Sequence, residues 1–139
     1  MKKVILTLNV IILFSLSVIS QTSAPEIKFD KKVHDYGTIT KGSDGTCEFV
    51  FKNIGNEPLI ITSVQKSCGC TTPTWDQKPV LPGESNSIKV GYDTQRLGAF
   101  NKQITVISNA INSTEVLTIK GNVVEAGQPV TNTTSEPEK

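Results

Sequence analysis

The sequence has few of the residues that most catalytic and metal sites require. Its 139 residues include one histidine, one tryptophan and three cysteines, and aromatic residues make up 6% of the chain. A single histidine limits acid–base chemistry and leaves too few ligands for a zinc site built from this chain alone. Fourteen basic residues against thirteen acidic ones lack the positive excess that marks a generic nucleic-acid binder. We therefore expect no catalytic residues and no nucleic-acid partner.

The N-terminus has the pattern of a secretory signal peptide. Two lysines precede an apolar stretch over residues 4–19 that ends in small residues. Polar residues dilute this stretch below the roughly 20 apolar residues of a membrane span, so a retained anchor is the less favoured alternative. Residues 1–20 are predicted to be removed before Gln21, with cleavage after Ala24 as a second option. The exported protein, periplasmic or extracellular, would then have no membrane span and would meet oxidising conditions that favour disulfides.

The C-terminal segment has the composition of a disordered tail. Residues 125–139 are rich in Pro, Thr, Ser and Glu and show no apolar period. Such a segment buries too little surface to offset the entropy lost on ordering. Residues 25–124 remain, which is the size of one small domain.

Within that domain the apolar residues alternate with a period of two, which is typical of half-buried strands. The clearest case is Thr46–Asn53, where Cys47, Phe49 and Phe51 share one face. Segment 59–65 is β-branched on both sides and is predicted to be a central strand. Further strands are expected near 27–29, 36–39, 88–92, 103–108 and 117–121, with the last two forming a hairpin across the turn residues 109–113.

About seven short strands without a useful amphipathic helix predict an all-β protein. Packing two sheets face to face buries one side of each sheet, so we expect an immunoglobulin-like antiparallel β-sandwich. The Cys–Trp–Cys order of true immunoglobulin domains is absent, because Trp75 follows all three cysteines. The sandwich is therefore expected to belong to another lineage.

Several short motifs are spread along the domain. They are His34 to Ile39, Phe49 to Asn53, Pro58-Leu59, Trp75, Pro82-Gly83, Tyr92-Asp93, Gly98, Ser108-Asn109 and, as the most specific element, Ser67-Cys68-Gly69-Cys70-Thr71. Together these motifs resemble the bacterial exported family called domain of unknown function 1573. The family is similar in turn to the immunoglobulin-like modules of major sperm protein, hydin and abnormal spindle protein. The resemblance implies a fold, an exported location and no assigned activity, and Cys47 lies outside its pattern.

The three cysteines are disulfide candidates that cannot all pair within one chain. Cys47 is expected either as a small buried hydrophobe or as the partner of Cys68 or Cys70, a bridge worth roughly 3 kcal/mol in the chain-entropy model. A bond between Cys68 and Cys70 themselves would be strained and redox-active. The structural interpretation is that Gly69 permits a tight turn or bulge and that the cysteines hold the crossover loop.

A soft metal site is the second chemical hypothesis for the cysteines. Two thiolates two residues apart point the same way on an extended segment, so Cys68 and Cys70, with Cys47 or His34, could bind copper(I). Beyond copper no cofactor is expected. His34 and Asp35 point to opposite faces of an extended segment, which excludes a catalytic dyad.

The remaining candidate surface is the long aperiodic segment 67–82. It carries Trp75, Asp76 and Lys78, and long loops on rigid sandwiches often hold binding surfaces. For Trp75 itself the favoured interpretation is a plug over the end of the sandwich rather than a partner contact. Together these features predict an exported, non-enzymatic module that binds a protein partner in the cell envelope through this loop or a sheet edge. The alternative is a copper-binding or thiol redox protein that uses Cys68 and Cys70.

Overall fold

Eight strands and no helix form the part of the chain that the computed structural model describes, residues 23–127. The predicted signal peptide and all but the first three residues of the predicted tail lie outside this range. None of the described residues belongs to a helix long and apolar enough to cross a membrane. The strands are β1 Ile27–Phe29, β2 Val33–Thr40, β3 Thr46–Asn53, β4 Ile61–Lys66, β5 Thr71–Trp75, β6 Ser85–Tyr92, β7 Gly98–Ser108 and β8 Thr114–Val124.

The strands form two four-stranded sheets that pack face to face. The first sheet has the order β1-β3-β6-β5, and the second has the order β2-β8-β7-β4. In β3 the residues alternate strictly between exposed and buried, with Cys47, Phe49 and Phe51 inward. The apolar face of each sheet is thus covered by the other sheet. The predicted β-sandwich is confirmed.

The core is built mainly from fully buried aliphatic and aromatic side chains on the facing strands. At least 98% of the surface of each of these side chains is covered: Phe49, Phe51, Leu59, Ile88, Val90, Ile104, Val106, Leu117, Ile119 and Val123. At the edge of this core Tyr92 stacks on Phe100, with ring centroids 3.7 Å apart. The stack joins the first sheet to the second.

One strand pair departs from the predicted all-antiparallel pattern. β1 pairs antiparallel with β3, whereas β2 pairs parallel with β8. The two strands belong to one extended segment that leaves the first sheet after Phe29 and joins the second sheet at Val33. The chain keeps its direction as it passes from the first sheet to the second. For this reason β2 runs parallel to β8. Hydrophobic periodicity carries no information about this choice.

Two further predictions for the strands were wrong. Segment 59–65 is predicted to be a central strand, but among the described strands β4 lies at an edge and pairs only with β7. Thr71–Trp75 lies within the segment predicted to be an aperiodic loop, yet it forms β5, the edge of the first sheet. Residues 23–127 therefore form eight strands rather than about seven.

The turn before β6 follows the sequence closely. Glu84 donates its N–H to the carbonyl of Leu81 across 3.0 Å, and Gly83 has a φ of 82°. Proline at the second position and a left-handed glycine at the third are the residues that a type II turn needs. This turn sets where β6 begins and therefore its register with β3.

Candidate functional site

The two close cysteines lie in the turn between β4 and β5. The structure joins Cys68 and Cys70 in a disulfide, with their Cα atoms 5.3 Å apart. The N–H of Cys70 donates to Sγ of Cys68 across 3.3 Å, and the hydroxyl of Thr71 donates to the carbonyl of Cys68 across 3.3 Å. Cys70 is 4% exposed and belongs to the core, whereas Cys68 is partly exposed. The two sulfurs of this turn therefore have unequal access to solvent.

Gly69 is not required by the backbone of this turn. It does not have a positive φ, and apart from the two flanking cysteines no atom lies within 4 Å of a Cβ added there. The expected tight turn is present at Gly69 and Cys70, and the two cysteines hold it, but its backbone does not require glycine.

Replacing Gly69 with alanine is expected to leave the protein as stable as before, or up to about 1 kcal/mol more stable, because alanine reduces the entropy of the unfolded chain. Urea denaturation measures the difference. Gly83→Ala is the matched control, since the φ of 82° at Gly83 strains any other residue. We expect that control to lose about 1 kcal/mol. A loss as large in Gly69→Ala would show that the turn needs its glycine.

Cys47 is buried and is not part of the disulfide. Its neighbour across the two sheets is Tyr36 of β2, whose hydroxyl donates to the carbonyl of Gly45 across 2.6 Å. Burial raises the pKa of the Cys47 thiol, although its hydrogen bond with Tyr36 acts in the opposite direction. Burial also raises the pKa of the Tyr36 hydroxyl, and the contact with Cys47 adds to that rise. Both groups are therefore held neutral, and Tyr36 ties β2 to the start of β3.

These raised pKa values predict a loss of stability in alkaline solution. The two neutral groups contribute fully to the free energy of unfolding at any pH below their pKa values in the unfolded chain. Above those values the groups ionise in the unfolded chain but stay neutral in the folded protein, so the contribution is lost. We expect the free energy of unfolding to fall between about pH 8 and about pH 10, where free thiols and phenols begin to ionise. Urea denaturation at each pH measures it. A double variant, Cys47→Ala with Tyr36→Phe, should show a smaller fall, and an equal fall would contradict this assignment.

The side chains proposed for a copper site are not brought together in the structure. Cys68 and Cys70 are bonded to each other, and Cys47 faces the interior. The ring of His34 lies edge-on to that of Tyr36 with centroids 4.4 Å apart, and its Nδ1 is 3.4 Å from Nζ of Lys31. Burial and Lys31 lower the pKa of His34. Over residues 23–127 no cluster of three or more His, Cys, Asp or Glu side chains could hold a metal ion.

Trp75, Asp76 and Lys78 form a corner at the end of β5, which we call the Trp75 corner. Trp75 pairs with Ile88 of β6 and packs partly against the core. Its indole Nε1 is buried and has no hydrogen-bond partner among residues 23–127. Asp76 accepts a hydrogen bond from the N–H of Lys78 across 3.1 Å and lies 3.7 Å from its Nζ. The corner thus combines a half-buried indole with exposed charges.

A pocket opens at this corner, at the β5 edge of the first sheet. Its volume is about 370 Å³, and it is lined by Thr74, Trp75, Asp76, Asn86, Ser87 and Lys89. It surrounds one aromatic residue with polar side chains, and aromatic anchors are enriched at protein-binding surfaces. A second pocket of about 310 Å³, which includes the exposed Ile54 and Ile111, shares no lining residue with the first.

Residues 27–123 match a family model described as "Protein of unknown function (DUF1573)". The chain belongs to the DUF1573 family. The resemblance seen in the sequence motifs is thus confirmed, and it covers all strands of this DUF1573 domain. A comparison with curated protein sequences finds no significant match.

Solved structures share the fold of this DUF1573 protein. A Porphyromonas gingivalis protein of unknown function is 19% identical with a TM-score of 0.66, over 76% of this chain and 51% of that protein. The ASH/PapD-like domain 7 of human CEP192 is 8% identical with a TM-score of 0.63, over 80% and 94%. The Vibrio cholerae protease VesB is 18% identical with a TM-score of 0.56, over 70% and 31%. The chain thus spans about half of the first protein and less than a third of the protease.

The sequence analysis did not identify two residues whose hydrogen bonds connect separate segments of the domain. Tyr36 was placed only in a short strand, although its hydroxyl connects the two sheets. Asn53 is predicted only as the last residue of the strand Thr46–Asn53, yet it is fully buried and its amide donates to the carbonyls of Glu57 and Val80. Its inward position in β3, after Phe49 and Phe51, was the available signal.

Proposed function

We propose that this protein is an exported, non-enzymatic interaction module that binds a protein partner in the cell envelope through the Trp75 corner. The DUF1573 match and the β-sandwich fold support an interaction module. The leader predicted over residues 1–20 supports export. The observation that carries the choice of surface is the buried Nε1 of Trp75, which has no acceptor within residues 23–127.

A buried donor without an acceptor costs about 1–3 kcal/mol. A small rotation of the indole would bring this N–H to a carbonyl or carboxylate of a partner and recover that cost on binding. Asp76 and Lys78 beside it offer charges of both signs to the same partner. Tryptophan is also among the residues that dominate binding energies at protein interfaces.

Contact through side chains fits this corner better than addition of a strand to β5. The N–H of Asp93 donates to the carbonyl of Cys70, so in the alternating ladder Thr72 and Thr74 bond to β6. Pro73 then faces the free edge, where it has no N–H to offer. An added strand would lack a donor at the middle of β5, which is how natural edge strands resist pairing.

Site-specific photo-crosslinking in the native envelope tests the surface. A photoreactive residue at Lys78 should capture one discrete protein, and the same residue at Gln95, an exposed position in the β6–β7 turn, should not. Trp75→Phe in the Lys78 crosslinking protein should reduce capture several-fold, because phenylalanine keeps the apolar contact and lacks the N–H donor. Equal capture from both positions, or capture that Trp75→Phe leaves unchanged, would contradict the proposal.

A further inference from the structure

The Cys68–Cys70 disulfide is built asymmetrically, and this asymmetry separates the two sulfurs chemically. Cys70 is packed in the core beside β6, while Cys68 is partly exposed in the turn. An incoming thiolate attacks a disulfide along the line of the bond and must reach one sulfur directly. Cys70 is buried, whereas Cys68, which also packs against the core, is the less buried of the two and therefore the one more open to attack.

Two features of the turn favour reaction at Cys68. The N–H of Cys70 points to Sγ of Cys68 across 3.3 Å, so it would stabilise negative charge on that sulfur after reduction. Gly69 is exposed, and apart from the flanking cysteines no atom lies within 4 Å of a Cβ added there, so no other part of the described protein covers this side of the turn.

We propose that the Cys68–Cys70 disulfide is a thiol–disulfide exchange site that oxidises polypeptide dithiols. A substrate thiolate attacks Sγ of Cys68, a bond forms between these two sulfurs, and the bond between Cys68 and Cys70 breaks. Cys70 leaves as a thiolate and takes up a proton, because its apolar surroundings favour the neutral thiol. The second thiolate of the substrate then attacks its own sulfur in the mixed disulfide.

That second step releases Cys68 as a thiolate and leaves the substrate with a disulfide. The substrate has lost two electrons and two protons. The cysteine pair has gained both electrons, Cys70 has taken up one proton, and the second proton passes to solvent or to the Cys68 thiolate. The reaction runs at the end of β5 opposite Trp75, about 16 Å away at the rise of an extended strand. It is therefore independent of partner binding at the Trp75 corner.

Glutathione trapping tests the asymmetry. Two folded single-thiol proteins are compared, both carrying Cys47→Ala: one adds Cys70→Ser and keeps Cys68, and the other adds Cys68→Ser and keeps Cys70. Intact mass after exposure to oxidised glutathione should show a 1:1 adduct forming at least about tenfold faster on Cys68, because reactivity follows exposure of the sulfur and its thiolate character. Equal rates, or a faster Cys70, would overturn the assignment.

Oxidation of a peptide dithiol tests the activity itself. Cys47→Ala protein with the native pair should convert one equivalent of a reduced two-cysteine peptide to its disulfide while the pair becomes reduced. Circular dichroism must show the β-sheet spectrum throughout. If the pair stays oxidised until the protein is unfolded in urea, the disulfide is only structural and the proposal fails. Capture by the Lys78 crosslinking protein is measured in parallel with Cys68→Ser and Cys70→Ser, and its persistence separates the two proposals.

Discussion

Replacing Asn53 with alanine is expected to lower the free energy of unfolding by about 4 kcal/mol, since each buried polar group left unpaired costs about 1–3 kcal/mol. The amide of Asn53 donates to the carbonyls of Glu57 and Val80 across 2.8 and 2.9 Å, and it accepts from the N–H of Gly55 across 3.0 Å. Alanine leaves the carbonyl of Glu57 and the N–H of Gly55 without these partners, whereas the carbonyl of Val80 keeps its hydrogen bond from the N–H of Leu59. Small domains are stable by only about 5–15 kcal/mol, so the variant should be marginal at physiological temperature.

Two further substitutions separate this network from a general effect of losing an amide. Asn101→Ala removes an exposed asparagine of β7 and should change stability by less than about 0.5 kcal/mol. Asn53→Asp keeps the acceptor but places a carboxylate against two carbonyls. Protonation supplies one donor, so its deficit should shrink as the pH falls toward about 4. Urea denaturation measures all three, and similar losses at Asn53 and Asn101 would refute the network.

Replacing Phe49 with alanine is expected to cost about 3–5 kcal/mol, the usual loss when a large core side chain is deleted. Phe49 is fully buried at the centre of β3, directly opposite Ile88 of β6. Its removal leaves a cavity between two sheets whose paired strands hold them in place. Thermal and urea unfolding of the variant measure the loss.

The neighbouring residue provides the control for Phe49. Val50 lies on the outer face of the same strand and is 37% exposed. Val50→Ala should therefore cost less than about 1 kcal/mol, mostly through lost strand propensity. If both substitutions lower the free energy of unfolding equally, the assignment of inward and outward residues in β3 is wrong. The inward placement of Cys47 would then be wrong as well.

The prediction that β4 is a central strand was wrong because β4 contains a β-bulge, which gives an edge strand the apolar pattern of a central one. Ile61 pairs with Ser108, whereas Val64 pairs with Val106, and both partners are buried. A bulge at Thr62 shifts the register, so apolar residues at an odd spacing face the same side. In the sequence this spacing looks like apolar residues on both faces. A bulge depends on the partner strand, so periodicity alone cannot reveal it.

β5 was missed for a related reason. Its sequence, Thr71-Thr72-Pro73-Thr74-Trp75, contains a proline and lacks alternating apolar residues, which argues against a strand in isolation. It becomes a strand because the N–H and C=O groups along one edge of β6 pair with it. Proline fits in this strand because it faces the open edge, where no N–H is needed. Trp75 was chosen as a surface residue from the loop around it, but its unpaired Nε1 is visible only after β5 is paired with β6.

The period of two along the chain and the turn residues 109–113 were enough to determine the β-sandwich, the inward face of β3 and the β7–β8 hairpin. These features depend on which neighbours alternate and which dihedral angles a residue accepts, and both are local. The parallel β2–β8 pair, the edge positions of β4 and β5, the buried network of Asn53 and the pairing of Cys68 with Cys70 were decided by tertiary structure. Each depends on a partner distant in sequence or on the burial of one side chain, because hydrogen bonds and solvent access are set only when the two sheets meet.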